Sequence, residues 1–100
     1  MYTLQCILMI RSFKHRGLKR LYEDDDRRGI RPDLAKTVQE VLTVLDDAIT
    51  PQELSLPAYH LHPLKGDLKG FWSVTVRANW RIIFRFVGND AFDVELIDYH

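Results

Sequence analysis

Three segments of this 100-residue chain gather the side-chain types that acid–base chemistry uses: His62-Pro63-Leu64-Lys65-Gly66-Asp67, Ala78-Asn79-Trp80-Arg81 and the terminal Asp98-Tyr99-His100. Such a set could cleave a phosphodiester of RNA without a metal. That reaction needs a base to take the ribose 2′-OH proton, a cation to stabilise charge on the phosphorane, and an acid for the departing 5′-oxygen. Histidine titrates near neutrality and suits the first or last task. Lysine and arginine suit the second. Aspartate can orient a histidine, and tyrosine can stack on a base or donate a proton. Each positioned acid or base is worth roughly 10²–10⁴ in rate.

The same residues have ordinary uses. A lone histidine such as His62 is usually a hydrogen-bonding structural residue, and His15 and His60 are read that way outright. Lys65 beside Gly66-Asp67 makes a solvated turn, Arg81 and Arg85 fit the wet side of a strand, and last residues often fray. Metal chemistry finds little support. The single cysteine, Cys6, excludes a cysteine-based zinc site and an internal disulfide, and no histidine pair has ligand spacing on one helix. No metal and no cofactor are expected.

The elements that must carry these residues follow from periodicity. Leu18, Leu21 and Tyr22 share one side of a short helix that is expected to stop near Gly29. Pro32 and Asp33 open a second helix over about residues 32–49, with Leu34, Val38, Val41, Leu42, Leu45 and Ile49 at spacings of three and four. Thr50-Pro51-Gln52-Glu53 matches a capping box. Alternation then predicts strands over 71–77, 80–86 and 92–98, with further strands near 9–13 and 59–63. Phe92, Val94, Leu96 and Asp98 are expected on one face, and Ala78-Asn79 and Gly88-Asn89 in tight turns. The order β-α-α-β-β-β-β predicts an α+β fold with two N-terminal helices on one face of an antiparallel sheet. The three polar segments then lie on neighbouring hairpins and could converge on one face.

Composition bounds the rest. One hundred residues, 46 % hydrophobic, fit a single globular domain. Residues 9–100 are read as that domain, with Met9 as an alternative start and residues 1–8 as an extension. No apolar run could span a membrane, and no signal peptide is evident, so a reduced cytoplasmic setting is expected. Fourteen basic and fourteen acidic residues sum to zero, yet they are segregated. Residues 11–20 hold five bases and no acid, and 21–26 hold four acids and no base. From His60 to Arg85 there are five basic residues, two histidines and the single acid Asp67. That last stretch is the expected RNA-facing surface, with Lys69, Arg77, Asn79 and Arg85 as binding candidates.

Taken together, Met9-Ile10-Arg11-Ser12-Phe13-Lys14-His15, the His62–Asp67 segment with Gly70-Phe71-Trp72-Ser73-Val74, Asn79-Trp80-Arg81-Ile82 and Asp98-Tyr99-His100 resemble the HigB-type toxins, the plasmid-maintenance-killer branch of the RelE/ParE superfamily. The resemblance spans residues 9–100. It implies a RelE-like fold with a curved antiparallel sheet, and a ribosome-dependent endoribonuclease that cuts mRNA in the A site. Implied partners are the 70S ribosome with its mRNA, a HigA-type helix-turn-helix antitoxin and, through it, operator DNA, with no membrane. His62, Lys65, Arg81, Asp98, Tyr99 and His100 match the family's functional positions. In that scheme Asp98 orients His100 as acid or base and His62 is its counterpart. Lys65 and Arg81 hold the phosphate, Tyr99 stacks on a base, and Asn79 is a weaker match. Two other functions fit the same fold: a ParE-like gyrase poison, against which the terminal Asp98-Tyr99-His100 argues, and a degenerate toxin that only binds its antitoxin and operator.

Overall fold

The computed structural model describes residues 10–98; the terminal Tyr99 and His100 and the expected extension, residues 1–8, lie outside that range. The described order is α1 (Arg16–Asp24), α2 (Pro32–Asp47), β1 (His62–Pro63), β2 (Trp72–Arg77), β3 (Trp80–Val87) and β4 (Asp90–Asp98), with short 3₁₀ turns between α2 and β2. The four strands form one antiparallel sheet in the order β1-β2-β3-β4, and the helices pack on one face of it. The expected first strand takes a different form: Ile10 and Phe13 make isolated bridges to Ala91 and Val94 of β4, and they run parallel to it.

Helix α1 starts where the His15 ring accepts the Leu18 N–H at 3.2 Å through Nδ1, which fills one of the orphan donors of the first turn. It ends before Gly29. Asp25 takes the left-handed conformation (φ 55°), donating to Leu21 O at 3.1 Å while Asp26 donates to Arg20 O at 3.3 Å. That paired closure normally uses glycine, and aspartate is among the few substitutes that tolerate it. Gly29 instead packs against Gly17, so closely that a Cβ on Gly17 would lie 2.5 Å from the Gly29 carbonyl oxygen.

Helix α2 buries Leu34, Ala35, Val38, Val41, Leu42 and Leu45, close to the expected stripe. Ile49 falls beyond its end and is half exposed. The expected capping box opens only a 3₁₀ turn, Pro51–Leu54, where the Glu53 carboxylate accepts the N–H groups of Ile49 (2.7 Å) and Thr50 (3.2 Å). The helices meet Val74, Ile82, Phe84, Val94 and Leu96 of the sheet in one continuous core.

The last strand departs from simple alternation. Ile83 pairs with Glu95 but Arg85 with Phe92, so Asp93 and Val94 together oppose Phe84. This is a β-bulge, and Asp93 occupies it at φ 56°. The extra residue reverses the faces on its N-terminal side. Ala91 and Val94 are therefore both in the core, and Phe92 leaves the face expected for it and joins Arg85 on the opposite one.

Two stability effects follow. Gly17→Ala should destabilise the fold by about 1–3 kcal/mol, the range for forced overpacking, although alanine favours helices elsewhere; urea unfolding measures it. Burial lowers the His15 pKa from 6.5, with Glu95 opposing the shift. The cap needs the neutral ring. Stability should be full above pH 6.5 and decline as pH falls towards the native pKa, because the unfolded chain takes up the proton first. His15→Asn, which can cap without titrating, should flatten that part of the profile.

Candidate functional site on the open sheet face

The register assigns side chains to the two faces. Val74, Ile82 and Leu96 form a cross-strand row under the helices. One residue along, His62, Ser73, Ile83 and Glu95 form a row on the open face, and Thr75, Arg81 and Ile97 form the next. Ser73 and Ile83 are both 2 % exposed, yet Ile83 is no part of the helix-side core. The open face is therefore closed over at its centre.

His62 sits on the two-residue edge strand β1 and is exposed. Its Nδ1 lies 3.0 Å from the His60 carbonyl oxygen. A carbonyl can only accept, so Nδ1 carries the proton, and the neutral ring keeps its lone pair on Nε2. His60 is fixed for this by a left-handed backbone (φ 48°) after the Pro57–Tyr59 turn. Lys65 and Lys69 flank the 3₁₀ turn Gly66–Leu68 in the β1–β2 loop, and both are exposed. Leu64 N–H to Phe71 O, at 2.9 Å, anchors the loop base.

Arg81 is half-buried on β3. Its guanidinium donates to the carbonyls of Ala78 (2.6 Å) and Trp80 (3.2 Å), which curls it towards the β2–β3 turn that carries Asn79. Between β1 and β3 there are two strand spacings, roughly 10 Å. His62 and Arg81 thus stand on the same face without touching. Arg77 flanks the turn and pairs in register with Trp80, as does Asp98. Trp80 belongs to the helix side, where the Arg31 guanidinium stands 5.6 Å from its ring centroid. Asp98 therefore ends β4 on the parity opposite to Arg81, near the same end of the sheet.

Arg85 lies at the other end. Its Nε donates to Asp93 Oδ2 at 2.6 Å, and its guanidinium stands 5.4 Å from the Phe92 ring centroid. The Asp93 carboxyl is held below the usual carboxylate range, chiefly by that hydrogen bond. Ser12 completes the arrangement: its hydroxyl accepts the Asp93 N–H at 2.8 Å and faces Asp93 Oδ1 at 3.3 Å. Sequence reading missed Ser12, Lys14, Phe71 and Asp93 as parts of this face. The bulge that places Asp93 and ties down Ser12 leaves no signal in a regular alternation.

A second concavity, about 550 Å³, lies between α1 and α2 and is lined by Glu23, Asp24, Asp25, Asp46 and Asp47 among others. The Tyr22 hydroxyl donates to Asp46 there; burial first, and then that carboxylate, push the tyrosine above its ordinary pKa. Five carboxylates make the groove hostile to a phosphate. The open face, which carries His62, Arg81 and Arg85, is the candidate site.

The sequence model of the family described as HigB-like toxin, RelE-like toxin of type II toxin-antitoxin system HigB, matches residues 11–100. The chain belongs to the HigB-like toxin family. It is 47 % identical over 92 residues to a Proteus vulgaris protein named Endoribonuclease HigB, covering 92 % of this chain and all of that one. It is 32 % identical over 90 residues to Toxin HigB-1 of Vibrio cholerae serotype O1, covering 88 % and 95 % respectively. Among solved structures, a histidine-to-glutamine variant of YafQ from E. coli superposes with a TM-score of 0.55 at 20 % identity, covering 86 % of this chain and 88 % of that one. A YoeB from Staphylococcus aureus gives 0.54 at 17 %, covering 92 % and 98 %. These two support the RelE-like fold. As a type II toxin, the chain has an antitoxin for a partner.

Asp93→Asn should cost less stability than Asp93→Ala, since asparagine also tolerates the left-handed backbone while both lose the Arg85 ion pair. Paired urea titrations would show the gap; equal losses would mean that the bulge conformation contributes nothing.

Proposed function

We propose that this HigB-like toxin, an endoribonuclease by its kinship, cuts mRNA in the ribosomal A site through metal-free acid–base chemistry. The observation that supports this best is the His62 ring. Its Nδ1 is tied to the His60 carbonyl, and Nε2 is free to take up or deliver a proton at the edge of the open sheet face. Lys65 from the loop and Arg81 from β3 hold the scissile phosphate and stabilise charge on the phosphorane. Asp98 orients His100 as the second acid–base group, and Tyr99 stacks on or orients a base. Asn79, Lys69, Arg77 and Arg85 contact the RNA around them.

The neutral sum of charges fits an enzyme that borrows its docking from the ribosome. Without a large positive field, non-specific affinity for free RNA is low. We assign the partner as a HigA-type helix-turn-helix antitoxin, which supplies the operator-DNA contacts of the complex.

Purified toxin added to mRNA-programmed ribosomes should yield A-site cuts ending in a 2′,3′-cyclic phosphate or its 3′-phosphate product, with little cutting of free mRNA. His62→Ala should lower the single-turnover rate by about 10²–10⁴ without loss of fold. Intact mRNA with arrested DNA supercoiling would move the chain to the gyrase-poison reading. Undiminished cleavage by His62→Ala would remove His62 from the chemistry.

A further inference from the structure

Lys14 follows the segment bridged to β4, to which it is tied by its N–H to Val94 O at 2.9 Å. Phe71 precedes β2, on the far side of β3. Three strand spacings, about 14 Å, separate the two backbones. Even so, the Lys14 ammonium stands 5.6 Å from the Phe71 ring centroid. The two side chains must therefore reach towards each other across the open face, which also holds the buried Ser73 and Ile83. Next to them the Arg85 guanidinium stands over the Phe92 ring.

Two half-buried rings thus lie on one face of the sheet, each with a cation held over it. Single-stranded nucleic acid is recognised by this combination: bases stack on aromatic faces while neighbouring cations meet the phosphates. Arg81 and Arg85 lie on one strand face four residues apart, about 13 Å, so the rings are offset from the proposed cleavage point by a length of chain and do not compete with it.

We propose that Phe71 and Phe92, with Lys14 and Arg85, form a base-stacking subsite that grips an unpaired nucleotide flanking the one that is cut. This rests on the RNA-cutting role proposed above. The subsite reads the presence of a base and is indifferent to its Watson–Crick edge, because every base offers a π face. Arg85 lies between two demands: Asp93 holds its Nε, and the rest of the guanidinium remains to meet a phosphate.

The test uses an uncleavable 2′-O-methyl oligoribonucleotide and the same strand with abasic residues, titrated at low salt and read by fluorescence anisotropy. Phe71→Leu and Phe92→Leu keep apolar bulk and remove the ring; thermal unfolding checks that each folds. Each should weaken binding of the normal strand by about 5- to 150-fold and leave the abasic strand unchanged. Equal losses on both strands, or none on either, would overturn the subsite. Cleavage on ribosomes separates the two claims. Wild-type cutting with unaltered oligonucleotide binding by both variants defeats the subsite alone. Absence of wild-type cutting with ring-dependent binding defeats the nuclease role and leaves the subsite standing.

Discussion

Asp93 carries the constraint on which the sheet depends. A left-handed residue in the middle of β4 leaves one N–H outside the ladder, and a buried donor left unpaired costs about 1–3 kcal/mol. Ser12 Oγ accepts that N–H, Val94 donates to Ser12 O at 3.0 Å, and Lys14 donates to Val94 O. The N-terminal segment is thereby fastened along β4 by the irregularity itself. From there the chain enters His15 and the first turn of α1, so the position of the helix layer also traces back to the bulge. Aspartate suits the place twice over. It tolerates the backbone, and its carboxylate engages Arg85 across the strand pair.

The bulge also sorts residues between structure and chemistry. Without it, Phe92 would share the core face with Val94, and Arg85 would have no ring beside it. With it, the open face receives Phe92 and Arg85 in register, while Ala91 fits against Ile10 in the core. The open face carries the cations Lys14, Arg81 and Arg85 beside the carboxylates Asp93 and Glu95, and the dense acids of residues 23–26 lie on and after α1.

Where side chains repeat at a fixed period, the sequence was legible. The α2 stripe and the β2–β3 alternation appear as expected, because each burial pattern needs only its own element. Places set by one left-handed residue were not. Asp25 ends α1 earlier than Gly29 would, and Asp93 reverses the faces of β4. In both, an aspartate does what glycine usually signals, and nothing in its neighbours announces it. The parallel N-terminal bridges were hidden for a related reason, since they depend on the bulge in a strand 81 residues away. Of the candidate site, the strand positions of His62 and Arg81 were legible, but the carbonyl that fixes the His62 tautomer lies two residues upstream and depends on the His60 backbone.

That dependence bears on why His62 stands on so short a strand. Pro63 has no N–H to offer, and proline is confined to sheet edges for that reason. With His60 turned into the left-handed region, pairing before residue 62 is interrupted as well, so β1 is limited to two residues. A short edge strand resists extension by another chain. It also leaves the imidazole at a rim open to solvent, instead of in the middle of a ladder. An interior strand would bury the ring. The edge keeps it exposed, while one hydrogen bond holds its Nδ1. The same backbone features that limit the sheet therefore leave the imidazole exposed at its edge with its tautomer set.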